Sequence, residues 1–466
     1  MDMEGTGMIR ASGPQESRKL WQYLAATSAC MLAVAVGTAL AWTSPVLPQL
    51  YQADSWLYVT KAEGSWIGSS CALGAIVGAL FAGPMADKLG RKKSLLLLAV
   101  PFLISWGIII MAKKVWLLYI ARLIVGSGVG ASCVLVPTYV SEIAETSTRG
   151  ALGSFFQLFL TIGILLTFIL GSLLPYTLFA IVCALVVIIF LATFIWMPES
   201  PIWLVTEQKK NEAKVALTML RGDGYDPGDE LETMQKGVDD SAGNKSSIFD
   251  MLRSPALRRA LIASFGGMAF QQLSGINAVI FYTVTIFEAA GSSIPSDLAS
   301  IMVASVQVVM SLVATFIVDR AGRKPLLMGS SSVVSLSLIA IGYYFNLKDG
   351  GKDVSSLGSL PLISLVVFMI AFSIGLGPIP WMLMGELFTP ETKAVASGLA
   401  VMLNWLLVFL VTKTFPSMKD GLGSDVTFWI FAGIMAFATV FTYFFIPETK
   451  GKSFEEIQAN LRKGSR

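Results

Sequence analysis

The stretch GPMADKLGRKKS at residues 83–94 places a dense group of charges between two long apolar runs. Nearly the same group returns at residues 316–326 as FIVDRAGRKPL. The shared order D-x-x-G-R-K begins at Asp87 in the first copy and at Asp319 in the second, 232 residues later in a chain of 466. A charged repeat separated by almost half of the chain predicts two halves of similar design.

The composition is that of a membrane protein. Hydrophobic residues make up 54% of the chain, charged residues 14%, and the mean hydropathy is +0.69, whereas about a quarter of a soluble domain is charged. The net charge of +3 implies no nucleic-acid partner. Because histidine, the commonest general base and metal ligand, is absent from the sequence, we expect no enzyme, no metal site and no cofactor.

Twelve apolar stretches with at most one charge each are long enough to cross the hydrocarbon core, which takes about 20 helical residues. They predict an all-α membrane protein with twelve transmembrane helices in two pseudo-symmetric six-helix halves, at residues 22–197 and 260–446. The polar segment 198–259 is predicted to form short helices between the halves. Residues 1–21 and 447–466 are predicted to be tails.

Lysine and arginine counts orient the spans, because loops rich in these residues stay on the cytoplasmic side. With the N-terminus inside, the inner segments hold 26 of them and the outer segments 7, and Arg122 within the fourth span completes the 34. Both termini and the central segment are therefore predicted to be cytoplasmic. The polar N-terminus lacks the order of regions typical of a removable signal peptide, and none is expected.

Two further charged signatures recur in the same order. SEIAETSTRG and GELFTPETKA are offset by 244 residues, and PESP and PETK by 249. A single copy would be explained as a positively charged turn, but three duplicated pairs favour a network on the cytoplasmic side. Such a latch is expected to hold that side closed until the halves move apart; one exposed ion pair is worth only about 0–1 kcal/mol, so several are needed. The predicted latch consists of Asp87, Arg91, Glu142, Arg149, Glu199, Asp319, Arg323, Glu386, Lys393 and Glu448.

The motifs GPMADKLGRKKS, RGALG, PESP, QQLSGINAVIFYT, VDRAGRKPL, GPIPWMLMGELF and PETKG together resemble the sugar porter family of the major facilitator superfamily. The resemblance runs from about residue 25 to 455. Within the family, FSIGLGPIPWMLMGEL and WTSPVLPQL look most similar to insect facilitated trehalose and hexose transporters. The resemblance implies a plasma-membrane transporter whose partners are a small neutral sugar and the lipid bilayer, with no obligate protein partner.

Neutral polar side chains in the seventh span, predicted as one helix over 260–287, indicate where a sugar binds. Gln271, Gln272 and Asn277 are costly in lipid and should face a watery cavity or another helix. The alternative is that they only join helices by hydrogen bonds. By resemblance these three match the sugar-binding amides of the family, and the remaining site positions correspond to Gln157, Gln307, Trp381 and Asn404.

A gate is predicted beside this site. Gly377, Pro378 and Pro380 would interrupt the tenth helix, and by resemblance Tyr282 would lie just outside the sugar as a movable lid. Some positions depart from the family pattern and leave glucose, fructose and trehalose open as substrates: Gln307 stands where many members carry asparagine, Ser373 where several carry glutamate, Val408 where asparagine is frequent, and Ile202 where arginine usually follows PESP.

Two glycine patterns predict helix packing. GSGVGA at residues 126–131 resembles a dinucleotide fingerprint, but it lies within a predicted span and has no preceding strand. GAIVG at residues 74–78 is a GxxxG pattern of the kind that lets membrane helices approach closely.

Three functions compete. A uniporter driven only by the sugar gradient is favoured, because the family's proton symporters carry a first-helix aspartate near the fourth-helix arginine, and no acid lies between Lys19 and Asp54. Arg122 is then expected to be held by carbonyls or polar side chains. A sugar receptor is disfavoured, because such proteins usually append a long cytoplasmic tail and about twenty residues follow the last predicted span.

Overall fold

The computed structural model describes residues 18–145, 147–222, 224–242, 254–291, 294–388, 390–452 and 454–463. Twelve helical regions in this part of the chain are long and apolar enough to cross a membrane, so the predicted number of spans is confirmed. In chain order, the spans are Leu20–Ala41 with Thr43–Leu50, Lys61–Leu89, Arg91–Met111, Val115–Ile143, Arg149–Gly153 with Phe155–Leu173, Tyr176–Phe194, Pro255–Leu273 with Ile276–Ala290, Ser296–Ala321, Arg323–Asp349, Leu360–Ile374 with Ile379–Leu387, Pro390–Leu422, and Ser424–Phe445.

Short helices lie outside the spans at one end of the bundle, which we call the linker end; the opposite end is the far end. Ser200 caps the first of these helices by accepting a hydrogen bond from the Trp203 N–H, at 3.2 Å. The side chain of Trp203 in turn packs with neighbouring linker residues in a small core of their own. The short helices are Pro201–Thr206, Lys210–Arg221, Gly228–Ala242 and, after the last span, Phe454–Lys463.

The two halves pack against each other along three pairs of spans. The second span contacts the eleventh, the fifth contacts the eighth, and the second segment of the first span contacts the second segment of the seventh. The first and seventh spans are equivalent elements, and the pairing of the second span with the eleventh is repeated by that of the eighth with the fifth, so the contacts follow the pseudo-symmetry of the halves. The predicted fold of two pseudo-symmetric six-helix halves is thus the observed one.

Close helix approach explains both glycine patterns. A Cβ atom on Gly74 in the second span would lie 2.0 Å from the Leu123 carbonyl oxygen, and one on Gly126 in the fourth span would lie 2.1 Å from the Cys71 carbonyl oxygen. Only a hydrogen atom fits between these backbones. The predicted packing role is therefore confirmed, and the fourth-span pattern is not a nucleotide site.

We expect Gly74→Ala and Gly126→Ala to force the second and fourth spans apart. Overpacking of this kind costs about 1–3 kcal/mol, or more when the obstacle is backbone. The melting temperature of the purified chain should fall by several degrees. Gly83→Ala in the same second span is the matched control, since nothing lies within 4 Å of its added Cβ; an equal fall in that variant would contradict the packing explanation.

Candidate functional site

The seventh span is broken, and the predicted continuous helix over 260–287 is wrong. Its first segment ends at Leu273, and the second begins at Ile276. Between them Gly275 has φ +85°, a left-handed conformation that glycine adopts without strain and that ends an α-helix. Ser274 supports the break by donating to the Gln271 carbonyl at 2.6 Å.

The break places four predicted amides in one buried network. Asn277 Nδ2 donates to Gln272 Oε1 across the break. Gln272 Nε2 donates to Asn404 Oδ1 of the eleventh span at 2.6 Å and to Gln271 Oε1 at 3.2 Å. All four side chains are buried. Amides from three helical segments therefore satisfy one another in a region where an unpaired amide would be costly.

The tenth span is interrupted where its glycine and prolines predict. The first segment ends at Ile374 and the second begins at Ile379, so that Gly377 and Pro378 lie in the break and Pro380 lies in the first turn of the second segment. A break inside the membrane leaves carbonyl and N–H groups without helical partners. Those groups must find partners on neighbouring spans.

Two side chains from neighbouring spans brace this break. Gln271 Nε2 donates to the carbonyls of Leu376 at 2.9 Å and Gly377 at 2.6 Å. From the ninth span, Ser330 Oγ accepts from the Leu376 N–H at 3.1 Å and donates to the Ala371 carbonyl at 2.7 Å. Gln271 thus connects the two broken spans. Ser330 was missed by sequence reasoning; the serine run at 330–332 in an apolar span was its only signal.

The remaining predicted site residues differ in their surroundings. Gln307 is buried, and within the described residues its Oε1 has no hydrogen-bond partner, which leaves an acceptor free. Trp381 is half-buried and packs beside Met268 and Met384. Gln157 is the third residue of the segment beginning at Phe155 and is exposed. The structure does not bring Gln157 into the amide network.

Tyr282 lies one to two turns beyond Asn277, on the side of the far end. Its backbone leaves the helical conformation, at φ −127° and ψ 19°. The side chain is buried, donates to the Thr412 carbonyl at 3.0 Å and stacks on Phe415 with ring centroids 5.7 Å apart. Its hydroxyl also abuts Gly68 of the second span, where an added Cβ would lie 2.9 Å away. The predicted lid residue therefore contacts both halves.

Among the described residues, four polar contacts join the two halves at the far end. Two of them link the first and seventh spans, and two link the second and eleventh. A backbone group takes part in each contact of the first set, while only side chains take part in the second. The contacts are Thr43 Oγ1 to the Phe281 carbonyl at 3.3 Å, Val284 N–H to Ser44 Oγ at 3.1 Å, Lys61 Nζ to Asp420 Oδ1 at 3.0 Å, and Lys413 Nζ to Ser65 Oγ at 2.8 Å.

The first charged cluster lies at the linker end of the N-terminal half. Arg91 Nε contacts Glu142 at 3.0 Å, and its Nη1 donates to the Ala86 carbonyl at 3.2 Å. Glu199 accepts from the backbone N–H groups of Lys92 at 2.9 Å and Ser200 at 2.8 Å. The cluster therefore ties the ends of the third, fourth and sixth spans together.

The second cluster repeats this arrangement in the C-terminal half. Arg323 Nη2 contacts Glu386 at 3.0 Å, and Glu448 accepts from the backbone N–H groups of Arg323 at 3.0 Å and Lys324 at 3.1 Å. Gly90 and Gly322, at φ +90° and +94°, turn the chain so that these N–H groups point at the carboxylates.

Both arginine–carboxylate pairs lie within one half, so neither bridges the halves. Asp87 and Arg149 are exposed, and Asp87 contacts Arg91 at 3.4 Å. The side chains of Asp319 and Lys393 lie outside the described residues. The role of these residues as a latch stays a prediction.

The two equivalent carboxylates differ electrostatically. Burial raises the pKa of Glu199, and hydrogen bonds from the backbone N–H groups of Lys92 and Ser200 offset only part of that effect. Burial acts on Glu448 in the same direction, but the N–H groups of Lys450 and Arg323 outweigh it and lower the pKa. The same motif therefore holds a carboxyl group with a raised pKa in one half and a lowered one in the other.

Arg122 is fully buried in the N-terminal half. Its Nε donates to the Ile67 carbonyl at 3.1 Å, its Nη1 donates to the Ala39 carbonyl, and its Cζ lies 5.8 Å from the centroid of the Trp42 ring. Carbonyl oxygens and an aromatic face hold this cation. Within the described residues no carboxylate forms an ion pair with it.

Comparisons with known proteins agree with this architecture. A family model described as "Sugar (and other) transporter" matches residues 22–461. The chain is 38% identical to a facilitated trehalose transporter of Culex quinquefasciatus over 456 residues and 39% identical to one of Bombyx mori over 448, covering 97% and 96% of this chain and 88% of each relative. It is also 38% identical to one of Aedes aegypti over 446 residues, which is 95% of this chain but only 55% of that protein.

Among solved structures, the fold resembles the xylose transporter XylE of E. coli. A partially occluded inward open conformation of XylE matches with a TM-score of 0.79 at 24% identity, over 93% of this chain and 99% of the other. An inward open conformation of XylE also matches with a TM-score of 0.79, over 94% and 99%. These likenesses establish the major facilitator fold.

The two carboxyl groups predict opposite pH dependences of stability. The lowered pKa of Glu448 means that its contribution is present above the ordinary glutamate pKa of about 4.3 and is lost as the pH falls through the lowered value. The raised pKa of Glu199 means that its contribution is present below about 4.3 and is lost as the pH rises through the raised value.

Melting temperatures of the purified chain from about pH 3 to pH 7 test these signs. We expect Glu448→Gln to lose stability at neutral pH and to approach the wild type on acidification. We expect the melting temperature of Glu199→Gln to rise relative to that of the wild type as the pH rises. Glu207→Gln, at an exposed position after the first linker helix, is the control. If the three variants follow parallel curves, the assigned pKa directions are wrong.

Proposed function

This chain belongs to the sugar transporter family, and from that membership we propose that it is a facilitative uniporter for a neutral sugar. The substrate is a hexose such as glucose or the disaccharide trehalose, and it crosses the plasma membrane by alternating access. The insect relatives are facilitated trehalose transporters. The linker end is cytoplasmic in this proposal, and the far end faces outside.

The amide network supports a site for a neutral, hydroxyl-rich ligand. Gln272, Asn277 and Asn404 form hydrogen bonds to one another that sugar hydroxyls can replace one for one. Such an exchange keeps every buried amide paired, so its net free energy is small and reversible binding is favoured. If Gln307 and Trp381 line the site as the family resemblance implies, the free acceptor of Gln307 adds one hydrogen-bonding position and the ring of Trp381 an apolar face.

The far-end contacts support alternating access. Tyr282, the Lys61–Asp420 pair and the backbone contacts of the first and seventh spans together close one side of the amide network. Each is individually weak: the exposed Lys61–Asp420 pair contributes about 0–1 kcal/mol, and each hydrogen bond about 0.5–1.5 kcal/mol. A set of weak contacts can be exchanged for the contacts of the opposite state without a large energy difference, as transport requires.

The proposal of uniport rests on the residues that surround Arg122. Proton coupling requires a group that binds a proton in one state and releases it in the other, which within a membrane means a carboxylate or histidine. The chain has no histidine, and carbonyls and the Trp42 ring surround Arg122 where the symporters of the family place an aspartate. A proton–sugar symporter is the alternative, and a transporter-like sugar receptor is a weaker one.

We expect Gln272→Ala and Asn277→Ala to impair uptake without preventing insertion. Losing one neutral hydrogen bond to a sugar hydroxyl costs about 0.5–1.5 kcal/mol, which raises KM about two- to twelvefold. Initial rates of radiolabelled trehalose and glucose uptake in transporter-deficient yeast measure this at equal surface expression. The control is Gln49→Ala, an exposed glutamine that bonds within its own helix, to Pro45. Unchanged KM in both site variants would leave the amides with a packing role only.

Uptake should stop at equilibrium. We expect proteoliposomes containing the purified chain to equalise sugar across the membrane, with the same final level at mildly acidic and neutral external pH. A protonophore should leave that level unchanged, because no proton gradient drives the cycle. Accumulation above the external concentration that a protonophore abolishes would establish the symporter instead, and would require a carboxylate elsewhere in the transport path. Failure to take up either sugar would count against the substrate assignment and not against uniport.

A further inference from the structure

Three buried N–H donors in the N-terminal half have no acceptor among the described residues. They are Arg122 Nη2, Trp42 Nε1 and Trp106 Nε1, and all three side chains are at most 1% exposed. A buried donor without a partner loses its hydration and gains nothing in return. Three such donors in one region indicate that an acceptor belongs there.

The three side chains are neighbours contributed by different spans. The Arg122 guanidinium lies 5.8 Å from the Trp42 ring centroid, and the Trp42 and Trp106 rings meet edge to face with centroids 6.5 Å apart. Ser105 Oγ donates to the Ala121 carbonyl at 2.8 Å, which holds the third span against the fourth directly beside Trp106 and Arg122. The donors thus belong to one cluster of the first, third and fourth spans.

The cluster also carries a positive charge that nothing in the described chain neutralises. A guanidinium stays protonated in proteins, and its burial costs several kcal/mol unless it is paired. Two carbonyl dipoles and a ring face, the latter worth about 0.5–2 kcal/mol, compensate Arg122 only in part. A neutral acceptor such as water would satisfy the donors but would leave this charge.

We propose that Arg122, Trp42 and Trp106 form a binding site for one small inorganic anion, a halide such as chloride. An anion accepts hydrogen bonds in every direction and brings the missing charge, whereas a cation or a hydrogen-bond donor fits neither requirement. The aromatic surroundings favour a weakly hydrated ion of this kind, because the edges of the rings are electropositive. The site is separate from the amide network and does not depend on which sugar is carried or on uniport.

Aromatic rings connect this site with the far end of the bundle. Trp42 contacts Tyr176 with ring centroids 6.1 Å apart, and Tyr176 contacts Trp56 at 4.9 Å. Trp56 is 55% exposed. Only Tyr176 separates Trp42 from this exposed ring, so we predict that the site exchanges anions with the solution at the far end.

Radioactive chloride binding tests the proposal on the purified full chain in detergent, with gluconate keeping the ionic strength constant. We expect saturable binding to the wild type and none to Arg122→Gln. Trp106→Phe keeps a ring but removes the N–H, and should weaken chloride affinity about tenfold or more, the cost of one hydrogen bond to a charged group. Trp405→Phe is the matched control, because it also removes a buried indole N–H without a partner, but in the eleventh span; its affinity should equal the wild type's.

Two further measurements keep the outcome independent of folding and of the sugar site. The wild-type melting temperature should be higher in chloride than in gluconate, and Gln272→Ala should bind chloride as the wild type does. The proposal is overturned if the wild type shows no saturable chloride binding and no such difference in melting temperature, which would mean that water alone fills the site. It is equally overturned if Trp106→Phe and Trp405→Phe have the same affinity.

Discussion

A backbone that leaves the helical conformation inside a membrane must find hydrogen-bond partners in the protein, because lipid supplies none. This constraint governs both interrupted spans. Gln271 donates to two carbonyls of the tenth-span break, and Ser330 holds the same break from the ninth span. Without these side chains the break would leave several polar groups unpaired at a cost of a few kcal/mol each. The broken helices and the polar side chains around them therefore form one structural unit.

In the proposed function, that unit would link sugar binding to helix movement. Gln271 accepts a hydrogen bond from Gln272 while it donates to the tenth span. A sugar that draws Gln272 into new hydrogen bonds would remove the bond that Gln271 accepts, and Gln271 is the side chain that holds the break at Gly377. Beyond Asn277, the same seventh-span segment carries Tyr282 into the far-end closure. One short stretch of the seventh span, from Gln271 to Tyr282 around the left-handed Gly275, thus contacts the tenth-span break, the amide network and the other half of the chain.

The number of spans, the two halves and the glycine packing faces could be predicted from the sequence, because each depends on composition or on a repeat. The break at Gly275 could not be predicted, because a single glycine in an apolar span is compatible with a continuous helix. Only its left-handed φ distinguishes a broken helix from a continuous one. The hydrogen bonds of Ser330 to the tenth-span break could not be predicted either, since serines in membrane helices usually bond to their own helix, as Ser337 does here. The position of Gln157 relative to the amides depends on how the halves meet, which no local pattern encodes.

The two charged clusters show how far a sequence repeat determines chemistry. Each cluster places a glycine of positive φ, an arginine and a carboxylate in the same order, and each forms the same backbone hydrogen bonds. Burial dominates at Glu199, whereas donated N–H groups dominate at Glu448. The pKa of each carboxyl group follows its environment and not the motif. The contributions of the two residues to stability are therefore predicted to change with pH in opposite directions. Equal sequence in the two halves therefore sets their geometry but leaves their energetics distinct, although both clusters lie at the same end of the bundle.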